Sequence, residues 1–124
     1  MEYHEGEMLI KGKGLKTIDF GGLRILDYTA GMAGPSSSFA VIEVAPGAKH
    51  ARAYSKRSDK YYYGVSGSVR FVVDGREQLL PAGDMLFIAQ GRTFFYVNDS
   101  ASPAQLILVH TPSFDLGEEV FLPD

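Results

Sequence analysis

Apolar residues along this chain come in short alternating or continuous runs, and clusters of Gly, Pro, Ser, Asp and Asn interrupt them at fairly regular intervals. Successive side chains of a strand point to opposite faces, so runs of this length and spacing predict an all-β sandwich or barrel. The pattern predicts strands over 7–11, 15–19, 23–28, 39–44, 53–55, 60–65, 68–73, 77–80, 84–88, 93–97 and 106–110. Asp74-Gly75 supplies the positive φ of a tight hairpin, and Pro81-Ala82-Gly83-Asp84 reads as a proline-initiated turn. Gly34-Pro35-Ser36-Ser37-Ser38 reads as a flexible connection. No window of a dozen residues carries a 3.6-residue apolar stripe, so helix is expected to be nearly absent. The tail over 112–124 mixes Phe114, Val120, Phe121 and Leu122 with acidic residues, and is expected to lie across the outer surface or to form an edge strand.

A length of 124 residues fits one domain over 1–124 and leaves little room for a second. The chain carries 7 Tyr and 8 Phe, residues suited to a pleated, half-buried surface, which strengthens the β assignment. A net charge of -3 argues against nucleic acid, because phosphate binding draws on a basic excess. The one basic stretch, 49–60, reads as a solvated rim. There are no cysteines, so disulfides and thiolate sites are excluded. The first seven residues are acidic where a signal peptide is basic, and no stretch approaches the roughly 20 apolar residues of a membrane helix. These features set the expectation of a soluble cytoplasmic protein with no membrane partner.

The turn residues also form a two-part pattern. Its first half reads Gly47, five residues, Ala53, one residue, Ser55, four residues, Lys60, six residues, Gly67. The second reads Gly83, five residues, Ala89, one residue, Gly91, two residues, Phe94, three residues, Asn98. Together with Tyr61-Tyr62-Tyr63-Gly64-Val65-Ser66-Gly67 and Val73-Asp74-Gly75, this spacing resembles the cupin superfamily across about 39–112. The resemblance implies a double-stranded β-helix, or jelly-roll barrel, and an expected homodimer. It also implies that four slots point into the barrel. In that family they hold His, His, Glu and His; here they hold Ala53, Ser55, Lys60 and Phe94. A metal needs three or four converging N, O or S donors, so no metal or other cofactor is expected in those slots.

Strand alternation puts Ala53 and Ser55, then Lys60, Tyr62 and Gly64, then Phe94, Tyr96 and Asn98 on the inner face, with Tyr61 and Tyr63 outside. Ser55, Lys60, Tyr62, Phe94, Tyr96 and Asn98 are therefore the candidate ligand-binding residues. A buried ammonium must deprotonate, reach the mouth, pair with a carboxylate or meet an anionic ligand. The reading that follows is a metal-poor barrel binding a small anionic or sugar-derived molecule. Any catalysis would be metal-independent acid–base chemistry of the isomerase or epimerase type. Two alternatives stay open. One is a metal-dependent enzyme with relocated ligands, His50 and His110 with Glu43 or Asp59. It requires a one-residue bulge that turns His50, Arg52 and Tyr54 inward. The other is an interaction module whose barrel is filled by its own side chains.

Overall fold

The structure, a computed structural model, describes residues 2–123, so the predicted domain limits at residues 1 and 124 lie outside the described residues. Its strands are β1 (Glu2–His4), β2 (Glu7–Leu9), β3 (Ile18–Phe20), β4 (Leu23–Asp27), β5 (Ser38–Val44), β6 (Lys49–Ser55), β7 (Asp59–Ser66), β8 (Ser68–Val73), β9 (Arg76–Pro81), β10 (Met85–Ile88), β11 (Phe94–Val97), β12 (Ala104–Thr111) and β13 (Glu119–Phe121). Helix among the described residues is confined to two 3-10 turns, Gly12–Gly14 and Leu116–Glu118. Among the described residues no helix is long and apolar enough to cross a membrane.

Strands β10-β7-β12-β5-β4-β3 form one antiparallel sheet and β13-β6-β11-β8-β9 a second, with β1-β2 as a separate hairpin. Alternation is plain where both faces differ: on β5 Ser38, Ala40, Ile42 and Val44 are buried, and on β12 Ala104, Leu106, Leu108 and His110. The two inner faces meet in one core, in which Ile42, Tyr62 and Leu106 of the first sheet pack with Val69, Phe71 and Phe94 of the second. Rings of Phe71 and Tyr96 lie 4.7 Å apart, and those of Tyr62 and Phe71 4.9 Å apart, so aromatic packing closes the centre of the barrel. This is the jelly-roll barrel that the family resemblance implies, built on the all-β pattern of the strands.

The glycine spacing is a spacing of turns. Gly47, Gly67, Gly83 and Gly91 all have φ between 67° and 90°, a region that other residues rarely adopt. At Gly67 a Cβ would also lie 2.5 Å from the Pro103 carbonyl oxygen. Asp74 (φ 47°) and Gly75 (φ 81°) make the hairpin turn between β8 and β9.

Two elements extend the predicted strands, and the tail takes one of its two expected forms. Strand β6 begins at Lys49, four residues before the predicted 53–55, because Lys49-His50-Ala51-Arg52 carries a bulge that erases the alternation. Residues 2–4 form a strand against β2. The tail forms β13, an edge strand paired with β6 in the register Glu119↔Ser55, Val120↔Tyr54 and Phe121↔Ala53. Flanking bonds from Lys56 N to Glu118 O and from Leu122 N to Arg52 O, both 2.8 Å, extend that pairing.

Candidate functional site

The barrel is not packed solid. A cavity of about 250 Å³ opens between β3, the C-terminal segment and the inner face of the six-stranded sheet. Its walls are mostly apolar, with Ile42 and Leu108 inside and Ile18, Phe20, Leu116 and Phe121 towards the mouth. The polar groups in it are few: His50, Lys60, Tyr62, Tyr96, His110 and Glu119 are the ones that carry chemistry. An apolar hollow with a handful of convergent polar groups is the usual form of a small-molecule site.

A bulge brings His50 into this cavity. Phe94 pairs with Ala53 and Tyr96 with His50, so two steps along β11 match three along β6. The extra residue lies between His50 and Ala53, and of His50, Arg52 and Tyr54 only His50 changes face. Arg52 remains exposed, donating to the Pro123 carbonyl at 3.1 Å, and Tyr54 stands opposite Val120 while its neighbours Ala53 and Ser55 are buried. The inward turn of Arg52 and Tyr54 that the relocated-ligand alternative required therefore does not occur. The His50 ring sits in an aromatic bracket, 5.1 Å from Phe94, 5.2 Å from Tyr96 and 5.9 Å from Phe20. Its Nδ1 lies 2.6 Å from the Ala51 carbonyl oxygen. A carbonyl only accepts, so Nδ1 carries the proton and Nε2 keeps a free lone pair. Burial, helped by the Lys60 charge and opposed by the Ala51 carbonyl and Glu119, lowers the His50 pKa to about 4. The ring is neutral at physiological pH.

Lys60 enters from β7 with its side chain 5% exposed, and Glu119 meets it from β13, also 5% exposed, at 2.6 Å. The same ammonium lies 2.8 Å from His110 Nε2 and 5.6 Å from the centre of the Phe94 ring. The ammonium donates, so His110 accepts through Nε2. Burial first, then the Lys60 charge, pushes the His110 pKa down to about 3. Burial likewise lowers the Lys60 pKa from its ordinary value, and Glu119 opposes that shift. Of the fates open to a buried lysine, this one has paired with a carboxylate. Two polar atoms around the pair are left over. Glu119 Oε2 and the Tyr96 hydroxyl are buried and have no hydrogen-bond partner among the described residues. Burial raises the pKa of both Tyr62 and Tyr96, so both phenols keep their protons.

The six candidates from sequence are all on the inner face and all buried, but they do not share one site. Lys60, Tyr62 and Tyr96 line the cavity; Ser55, Phe94 and Asn98 do not. The Ser55 hydroxyl accepts from Ser58 N at 2.9 Å and from Arg57 N at 3.3 Å, which occupies it in the turn after β6. Phe94 backs the His50 ring. Asn98 follows the last residue of β11, and its amide is spent on the Val44 carbonyl of β5 and on the loop that follows. Conversely, Glu119 was not among the candidates. Its signal was one acidic residue flanking the apolar Val120-Phe121-Leu122, in a tail whose pairing partner the sequence does not reveal.

The residues do not suit a resident metal ion. The four inward slots offer a methyl, a hydroxyl already used, an ammonium and a phenyl ring. His50 and His110 both line the cavity, but the Lys60 ammonium lies on the Nε2 of His110 and would repel a second cation. Glu43 pairs with Arg24 on the outside at 3.1 Å, and Asp59 accepts from Gln90 N, so neither joins the histidines. Among the described residues no group of three or more His, Asp or Glu side chains is placed to hold a metal.

A sequence profile described as the cupin domain matches residues 40–110. The chain belongs to the cupin family. A curated relative, the tetracenomycin polyketide synthase protein TcmJ of Streptomyces glaucescens, is 30% identical over 92 residues, covering 74% of this chain. This chain spans 62% of that relative's length. Among solved structures, Streptomyces Pac13, described as a nucleoside dehydratase, superposes with a TM-score of 0.82 at 19% identity over 94% of this chain and 91% of its own. KdgF from Halomonas superposes with a TM-score of 0.76 at 16% identity over 88% of this chain and 96% of its own. These likenesses establish a cupin barrel, and this one holds a hollow sized for a small molecule. Glu119 and the mouth residues Ile18, Phe20, Leu116 and Phe121 lie outside the matched 40–110, whereas His50, Lys60, Tyr62, Tyr96 and His110 lie within it.

Proposed function

We propose that this cupin binds a small hydroxylated organic molecule in the barrel cavity, and that His50 takes a proton from a carbon of that molecule without a metal. One observation carries the reading: the Ala51 carbonyl fixes the proton on Nδ1, which leaves the neutral Nε2 as a base within a mostly apolar cavity. Tyr62, which lines the same hollow and keeps its phenol proton, is a group of the right type to donate a hydrogen bond to the oxygen on which charge develops. Proton removal next to a carbonyl is the shared first step of isomerisation, epimerisation and elimination, so the reading fits the acid–base class expected from sequence. Support also comes from Pac13, which is described as a nucleoside dehydratase. It has been solved with uridine as variants of one histidine and of two tyrosines. The cavity here likewise holds His50 with Tyr62 and Tyr96. The proposal takes the protein to work as a cytoplasmic homodimer, the exposed outer-sheet residues Tyr63 and Phe87 facing the second copy.

The test is hydrogen exchange from carbon. Hydroxy-aldehydes and hydroxy-ketones, including nucleoside aldehydes, are incubated with metal-stripped protein in D2O and followed by NMR. Deuterium should enter next to the carbonyl, and His50→Gln should slow that entry by about 10²-fold or more. Exchange that ignores His50, or that appears only when a divalent metal is added, overturns the reading.

A further inference from the structure

We infer that Glu119 makes this cavity select neutral, hydroxyl-bearing ligands and turn away carboxylates and phosphates. The inference rests on the cavity being the binding site, and it names the class of ligand that site accepts. Lys60 is the sole ammonium or guanidinium among the lining residues, and taken alone it is an anion receptor. It is not alone. Glu119 Oε1 lies 2.6 Å from its Nζ, and both side chains are 5% exposed, so the charge is cancelled before any ligand arrives. A second carboxylate, Asp27, also lines the hollow, its Oδ1 accepting from Thr29 N at 2.9 Å and Thr29 Oγ1 at 2.8 Å. His50 and His110 add no positive charge at neutral pH. One cation therefore faces two carboxylates, and a buried anionic ligand meets net repulsion in a medium that screens it poorly.

The same residue supplies an attraction for hydroxyl groups. Glu119 Oε2 is buried with no donor among the described residues, and an unsatisfied carboxylate oxygen is a standing penalty. A ligand O–H or N–H that reaches it removes the penalty, whereas a ligand carboxylate brings no donor at all. His50 Nε2 is a second acceptor in the same hollow. Both acceptors can be met by the hydroxyls of a polyol and neither by a carboxylate. The selecting residue stands on a three-residue edge strand outside the matched 40–110.

Benzyl alcohol and benzoate share a ring that fits the apolar walls and differ in the charge of the head group. Isothermal titration of both, with the His50 imidazole resonances reporting occupancy of the cavity, should show the intact protein favouring benzyl alcohol by tenfold or more. Glu119→Gln keeps the size and the bond to Lys60 but frees the charge, and should move the preference towards benzoate by at least tenfold. Adding Lys60→Met to Glu119→Gln removes both charges and should restore the preference for the alcohol. A preference for benzoate in the intact protein, or a ratio that Glu119→Gln leaves unchanged, overturns the inference while the cavity reading stands. If neither probe disturbs His50 in any folded variant, the cavity reading fails and the inference falls with it. Far-UV circular dichroism of each variant separates that outcome from unfolding.

Discussion

Asn98 and the Lys60–Glu119 pair are both buried polar groups inside one barrel. At Asn98, Nδ2 donates to the Val44 and Ser102 carbonyls at 2.9 and 2.8 Å, and Oδ1 accepts from Ser100 N and Oγ at 3.0 and 2.7 Å. Its backbone N–H and carbonyl are also bonded, to Ala48 O and from Gly47 N. Every capacity of that amide is used, and what it holds is the loop from Asn98 to Ser102. Around Lys60 the accounts stay open: Glu119 Oε2 and the Tyr96 hydroxyl have no described partner, and His50 keeps a free Nε2. A polar group closed on itself is architecture. One left open towards a hollow, against the general rule that buried polar atoms are paired, is where a ligand can add something. Sequence spacing places Asn98 and Lys60 on the inner face alike, and only their partners tell them apart.

The largest effect is expected from opening the ion pair. Lys60→Met leaves the Glu119 carboxylate buried without its cation, and should lower stability by about 3–5 kcal/mol in urea denaturation. Replacing both, as Lys60→Met with Glu119→Leu, should recover most of that loss, because the two charges are then absent together. A double variant no more stable than the single one would mean that the pair fixes β13 geometrically, and the contrast with Asn98 would blur.

An effect of comparable size is expected from acid. Unfolded histidine binds its proton at about 6.5. In the folded chain His50 binds it only at about 4 and His110 at about 3. Between those values the unfolded chain holds more protons, so stability is complete above pH 6.5 and is lost as the pH falls towards 3–4. A shift of this size is worth roughly 3 kcal/mol for a single histidine. Urea midpoints measured at pH 7.5 and 4.5 should show the loss, and His50→Gln should reduce it. An unchanged difference in that variant would mean the imidazole is not held neutral by burial.

The barrel itself was legible from sequence because its determinants are local. Turn glycines with left-handed φ, such as Gly67 and Gly83, and the two-residue period of strands like β5 and β12 are written in consecutive residues. The inner-face assignment of Lys60, Tyr62, Phe94 and Tyr96 followed from the same period. The partners did not. Glu119 is 59 residues from Lys60, and the pairing of β13 with β6 that brings it there is a long-range event. The bulge before Ala53 was foreseen only as one option, since a single inserted residue leaves no mark beyond the alternation it interrupts. Asn98 and Ser55 show the reverse error: the right face, with side chains already committed to nearby backbone.

The smallest effect is the finest test of the contrast. The Tyr96 ring is fully buried and packs on Phe71, Tyr62 and His50, while its hydroxyl bonds to no described group. Tyr96→Phe removes the unsatisfied atom and keeps the packing, so stability should stay the same or rise by up to about 1 kcal/mol. A hydroxyl that was structural would instead lose about 1 kcal/mol or more on removal. Binding should move the other way, since the atom deleted is one a bound hydroxyl can reach for: a probe held at the open cluster should weaken severalfold in Tyr96→Phe. Stability gained with affinity lost would mark this oxygen as kept for a ligand. Stability lost with affinity unchanged would place Tyr96 beside Asn98, among the groups that only build the barrel.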